Sequence, residues 1–189
     1  MLSVVVRQSY LKYLGFYDGK VDGVEGAKTK AAYKALQDKY FVREKDKDGK
    51  YGKNTDKLLV NAYDVAVLCD NFKLEEFKCG CGGKHCTGYP EIIEPQLLEN
   101  LQAVRDKFGS TIITSGLRCS KHNSSVGGSF ASRHKSGKAV DFKGSYTQTE
   151  SQRETVMEFW KTLKNNRYTY CNINGSNPTM GNAVHVDVK

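Results

Sequence analysis

Ser132-Arg133-His134-Lys135-Ser136-Gly137-Lys138-Ala139-Val140-Asp141 lies near the middle of the chain, and Ala183-Val184-His185-Val186-Asp187-Val188 stands at its C-terminal end. In a strand over 139–143, Val140 and Phe142 share one face while Ala139 and Asp141 share the other. The C-terminal stretch repeats the pattern, with Val184, Val186 and Val188 on one side and His185 and Asp187 opposite. An apolar face on each strand fixes the register, and the register then presents His134, Asp141 and His185 on one surface. Two imidazoles and a carboxylate are a ligand set that holds a catalytic zinc and leaves a position open. Spacing alone admits a plainer alternative, two surface histidines and a solvated aspartate, because no helical His-Glu-x-x-His accompanies the set.

Around these strands the pattern predicts an α+β unit. Leu97, Leu101, Val104 and Phe108 stripe a helix that stops at Gly109, and 111–115 is a β-rich run leading to Arg118. Thr149 and Gln152 form a capping box for a helix burying Val156, Phe159, Trp160 and Leu163. Residues 168–173 make a further strand. Helices grouped beside short strands predict an antiparallel sheet with the candidate ligands on its open face.

The first sixty or so residues read as a separate small three-helix bundle. Val4, Leu11 and Leu14 line the first helix, closed by Gly15; Thr29, Tyr33, Leu36 and Tyr40 the second; Leu58, Leu59 and Ala62 the third. Two turns share one pattern, Asp22-Gly23-Val24-Glu25-Gly26 before Thr29 and Asp48-Gly49-Lys50-Tyr51-Gly52 before Thr55. Each places glycines where the chain reverses ahead of a helix. Tyr17, Tyr33 and Tyr51 are candidates to stack on sugar rings, though tyrosines at helical spacing more often belong to a core. The boundary is set at 66/67, giving units 1–66 and 67–189.

Composition narrows the class. No run approaches the roughly eighteen apolar residues of a membrane span, and Met1-Leu2-Ser3-Val4-Val5-Val6-Arg7 lacks the basic region and apolar length of a secretory signal. The expected setting is therefore synthesis in a cytoplasm without a signal peptide; the expected oligomeric state is a monomer. A net charge of +8 suits a polyanion. Nucleic acid is one candidate, anionic wall polymers fit the rest of the chain better, and solubility alone is the plain alternative; the lysines are scattered instead of blocked, so the charge by itself decides little.

Cys79, Cys81 and Cys86 crowd into Cys-Gly-Cys-Gly-Gly-Lys-His-Cys beside His85. Four soft ligands wrapped in glycines suit a structural zinc knot, although the usual two-residue gap in the first pair is missing. Disulfides and a metal-free local fold element stay open. Cys69, Cys119 and Cys171 read as ordinary thiols, and Cys119 with His122 makes no convincing nucleophile pair.

Ser115-Gly116-Leu117-Arg118, His122-Asn123, Val126-Gly127-Gly128, Ser132-Arg133-His134, Gly137, Ala139, Asp141 and His185-Val186-Asp187 together resemble the zinc D-Ala-D-Ala peptidase family. That family includes D,D-carboxypeptidases and the L-Ala-D-Glu endopeptidases of phage lysins, and shares its metal-site architecture with the hedgehog signalling domain. The likeness covers about residues 70 to 189. It implies Zn2+ held by His134, Asp141 and His185, with Arg118 gripping a substrate carbonyl or carboxylate and Ser132 and Asn182 also meeting substrate. Such a zinc lowers the pKa of its water from about 15.7 towards about 7. Leu14-Gly15-Phe16-Tyr17-Asp18-Gly19-Lys20-Val21-Asp22-Gly23 is similar to the small peptidoglycan-binding domain often attached to cell-wall hydrolases, over roughly residues 3 to 62; a purely scaffolding bundle is the alternative.

One departure matters. Relatives place a carboxylate three residues before the last zinc histidine, as general base; here Asn182 stands there. Asp187 is the nearest carboxylate, either as that base or as a group holding a ligand histidine in orientation. The resemblance thus implies an endolysin cutting peptidoglycan stem peptides, with a bacterial D,D-carboxypeptidase or a non-catalytic wall-binding protein as alternatives.

Overall fold

The computed structural model describes residues 1–189 and is α+β. Helices α1 (Val4–Tyr13), α2 (Ala27–Tyr40) and α3 (Lys53–Leu68) pack on one another through Leu11, Tyr33, Leu36, Leu58 and Leu59, all fully buried. No helix is long and apolar enough to cross a membrane.

The two similar turns are organised by a pair of buried amides that periodicity does not reveal. Gln8, fully buried, accepts at Oε1 from the Gly23 backbone N–H (2.9 Å). Its Nε2 lies within reach of Asp22 Oδ1 (2.9 Å), Val24 O (3.0 Å) and Thr29 Oγ1 (3.2 Å). Gln37 repeats the arrangement with Gly49 N–H (2.7 Å), Asp48 Oδ1 (3.2 Å), Lys50 O (3.0 Å) and Thr55 Oγ1 (2.9 Å). Each glutamine thus ties one turn to the helix that follows it. Gln37→Leu keeps the volume but strands these groups without partners. It is expected to cost about 3 kcal/mol, read as a lower urea midpoint at unchanged slope. Tyr17 and Tyr33 are core residues, and Tyr51 packs against Tyr33 under the Arg7 guanidinium (3.8 Å).

The boundary drawn at 66/67 falls in the last turn of α3, and that helix serves both units. Asn61, fully buried, donates to Glu91 O (2.9 Å) and accepts from Ile93 N–H (2.7 Å). Lys57 reaches Pro90 O (2.7 Å) and Glu91 (3.0 Å). Helix α4 (Pro95–Phe108) packs directly on α3, so one apolar core runs from Leu11 to Val188.

Strands β1 (Thr111–Ser115), β2 (Ala139–Gly144), β3 (Asn166–Cys171) and β4 (Val184–Val188) form an antiparallel sheet in the order β1-β2-β4-β3. A short helix α5 (Ser120–Ser125) follows β1, and α6 (Glu150–Thr162) precedes β3. Both bonds of the capping box at α6 form, Gln152 N–H to Thr149 Oγ1 (3.2 Å) and Thr149 N–H to Gln152 Oε1 (3.0 Å). Helices α4 and α6 cover the valine face of the sheet, where Val140, Phe142, Val184, Val186 and Val188 are buried with Leu101, Val156 and Trp160. Phe159 and Leu163 are only half-buried at the edge of this layer.

The cysteines correct the sequence reading in two places. Cys119 is not an isolated thiol: its sulfur gathers with those of Cys79, Cys81 and Cys86. His85, the fourth ligand suggested by adjacency, is exposed and outside that group. A loop's side chains face where its turns send them, which adjacency in sequence does not specify. Cys69 and Cys171 are buried single thiols.

Candidate metal centre

Strand register assembles the centre. Ser115 on β1, Asp141 on β2, His185 on β4 and Tyr170 on β3 are successive cross-strand partners, making one row over the face opposite the valines. His134 joins them from a single helical turn, Arg133–Ser136, which Gly137 ends in the left-handed region (φ 71°). A Cβ at Gly137 would lie 1.9 Å from Ile92 O, so only glycine permits this approach.

The three ligand atoms of His134, Asp141 and His185 lie within 4.8 Å of one another, and all three residues are buried. His134 Nδ1–H donates to Gly116 O (2.8 Å), which leaves Nε2 bare and turned towards Asp141 Oδ1 at 3.3 Å. His185 offers Nδ1 to the same oxygen at 2.7 Å. Two imidazole nitrogens and a carboxylate oxygen thus converge on one point, and this donor set fits zinc. Burial opposes ionisation of Asp141, but the two imidazoles of His134 and His185 beside it hold its carboxyl far below the usual carboxylate range. Burial pulls His185 down while Asp141 and Asp187 push it up, and the net shift is upward.

Arg118 is held in place beside the ligands. Its Nε donates to Ser115 Oγ (2.9 Å) and its Nη2 to Asp141 Oδ2 (2.8 Å), while its backbone N–H donates to His134 O (3.1 Å). This leaves Nη1 without a hydrogen-bond partner in the protein. The row opens into a cleft of about 630 Å³ whose walls include Ser132, Arg133, Arg167 and Tyr168. Ser132 stands on the cleft wall.

Asp187 and Asn182 are placed differently. Asp187 lies behind His185, with Oδ2 3.8 Å from Nε2, on the far side of the ring from Asp141. Both its oxygens are engaged, Oδ1 by Tyr168 N–H (2.9 Å) and Oδ2 by Arg167 Nη1 (3.0 Å). Burial works against its charge, yet His185 and Arg167 keep its carboxyl below the ordinary value. Asn182 does not reach the cleft. Its Nδ2 donates to Gln148 Oε1 (2.9 Å) beside a separate hollow lined by Lys143 and Gly144.

Three contributors went unread in the sequence. The Gly116 carbonyl fixes the His134 tautomer, Arg167 clamps Asp187, and Tyr170 stacks on His185 with ring centroids 4.5 Å apart. Alternation along β3 puts Tyr168 and Tyr170 on one face and was the available signal for the last.

Comparison with known families agrees with this geometry. The family model for peptidase M15 matches residues 70–187, a range containing every residue of the row and cleft, and that for the peptidoglycan binding domain matches residues 3–59. No curated protein matches the chain. The two matches describe a metallopeptidase that acts on peptidoglycan, the helical unit supplying the affinity for the wall and the sheet the cleft. Since the first of them takes in well over half the chain, together with its clustered histidines and aspartate, the chain belongs to the peptidase M15 family.

Proposed function

We propose that this protein is a zinc-dependent endopeptidase of the endolysin type, cutting stem peptides of peptidoglycan, with His134, Asp141 and His185 as the zinc ligands. The observation that carries this reading is the convergence of His134 Nε2, Asp141 Oδ1 and His185 Nδ1 beside a pinned arginine in an open cleft. Zinc held there supplies Lewis acidity and an activated water near neutral pH. Arg118 is a fixed cation beside the ligands, aimed at the oxygen on which charge develops during amide hydrolysis. Arg133 and Arg167 add positive charge to the walls, which suits a peptide carrying free carboxylates. Asp187 acts as a positioning residue for His185, because its carboxylate faces Nε2 and is tied down at both oxygens. The six unpaired cysteines suit a chain made in a reducing cytoplasm and released to the wall afterwards.

The test is mass spectrometry of peptidoglycan digested by the purified chain. Cleavage between L-Ala and D-Glu yields fragments with a new D-Glu amino terminus; release of terminal D-Ala alone would replace the endopeptidase reading by a carboxypeptidase. Binding is separable from cutting. The His134→Ala chain should still sediment with insoluble peptidoglycan, and loss of sedimentation would remove the binding role from residues 3–59. Asn182→Asp, which restores the relatives' carboxylate in sequence, should leave turnover unchanged because the side chain turns towards Gln148. A gain in turnover would place that position in the cleft.

A further inference from the structure

We propose that Cys79, Cys81, Cys86 and Cys119 form a second, closed zinc site, apart from the cleft, which clamps the segment carrying Arg118 to the loop that meets the helical unit. The four sulfurs lie within 4.8 Å of one another and all are free thiols. Cys81 Sγ and Cys86 Sγ are 3.5 Å apart. A tetrahedral zinc with bonds of about 2.3 Å needs sulfurs about 3.8 Å apart, so the group stands close to coordination geometry before any ion enters. Four thiolates and no open position describe a structural site, not a catalytic one.

The surrounding backbone is shaped for this convergence. Gly82 and Gly83, between Cys81 and Cys86, take positive φ (59° and 82°), and this reversal turns Cys86 back towards Cys81. Between the first two ligands, a Cβ on Gly80 would lie 2.9 Å from His122 Nε2, so the His122 ring packs directly over this glycine. Backbone N–H groups already point at sulfur: Cys119 N–H donates to Cys79 Sγ (3.3 Å) and His122 N–H to Cys119 Sγ (3.4 Å). Such donors favour charged thiolates. Arg43, its guanidinium paired with Asp46, also lies against this loop from the helical unit, its Cγ 3.2 Å from where a Cβ on Gly83 would stand.

The ligands come from two stretches with consequences elsewhere. Cys119 directly follows Arg118, and Leu117 N–H donates to Phe77 O (2.9 Å) just ahead of Cys79. On the other flank, Val42 N–H of the helical unit donates to Thr87 O (3.2 Å), next to Cys86. A metal bound to all four cysteines therefore fixes, through one ion, the position of Arg118 beside Asp141 and the seam between the two units.

The decisive measurement uses the full chain with the cleft ligands removed, His134→Ala/His185→Ala, so that its outcome does not depend on the peptidase reading. As purified, this variant should hold about one zinc per chain, against about two in the unaltered protein. Replaced by cobalt(II), the ion should show sulfur-to-cobalt charge transfer and the intense visible bands of a tetrahedral thiolate complex. Cys86→Ser in that background should lose the ion and melt earlier. Cys86→His, which keeps a Cys3His set, should recover metal with a changed cobalt spectrum, separating loss of a ligand from failure to fold. A zinc-free variant, cobalt without the sulfur band, or a count of two missing thiols in the denatured unreduced chain, which marks a disulfide, would each overturn the site.

Discussion

His134→Ala is expected to empty the cleft of metal and to lower hydrolysis of peptidoglycan by on the order of a thousandfold or more. The reason is geometric. His134 is the ligand that comes from outside the sheet, and its tautomer is set by Gly116 O, so no neighbouring donor replaces its Nε2. Zinc content should fall by about one ion per chain. The fold should persist, since the loss of one buried hydrogen bond costs only about 1–2 kcal/mol, and circular dichroism would report that directly. Full activity in this variant would rule out the ligand assignment.

Asp187→Asn separates two roles that sequence alone leaves equal. Asp187 is the only carboxylate in the cleft besides the ligand Asp141. As a group that orients His185, it predicts zinc affinity weakened by about ten- to a hundredfold, with turnover restored by added zinc. As a general base it predicts normal zinc content and a turnover loss of roughly a hundredfold that zinc does not repair. The structure favours the first outcome, because Tyr168 N–H and Arg167 already occupy the carboxylate and His185 stands between it and Asp141. Titrating zinc into the metal-free variant while following turnover distinguishes the two.

What was legible in the sequence follows from where the signals are periodic. Strands β2 and β4 were readable because valines and Phe142 alternate with Asp141, His185 and Asp187, and burial of one face leaves a single register. Helices α4 and α6 were readable from their stripes and from Gly109 and Thr149 at their ends. Gln8 and Gln37 were not, because a buried amide that binds turn backbone sits at a helical position like any exposed polar residue until its partners are seen. Cys119 escaped for a different reason: its partners come from a distant loop, and only the packing of Gly116 and Leu117 against Phe77 brings them together. Asn182 was read by its offset from His185, but offset fixes neither rotamer nor direction in the irregular stretch before β4.

The sharing of α3 between the two units bears on how such an enzyme addresses an insoluble substrate. A flexible tether would let a catalytic body sweep a sphere around its anchor and sample bonds at many angles. Here the joint is a stiff rod of 16 residues, about 24 Å long, pinned by Asn61 and Lys57 to the backbone ahead of α4. Docking of the helical unit then sets the compass bearing of the cleft, and the peptidoglycan bonds within reach are those presented at one offset and one orientation from the anchoring strand. Selectivity among chemically identical bonds in the wall becomes a matter of their angle and distance from the foothold.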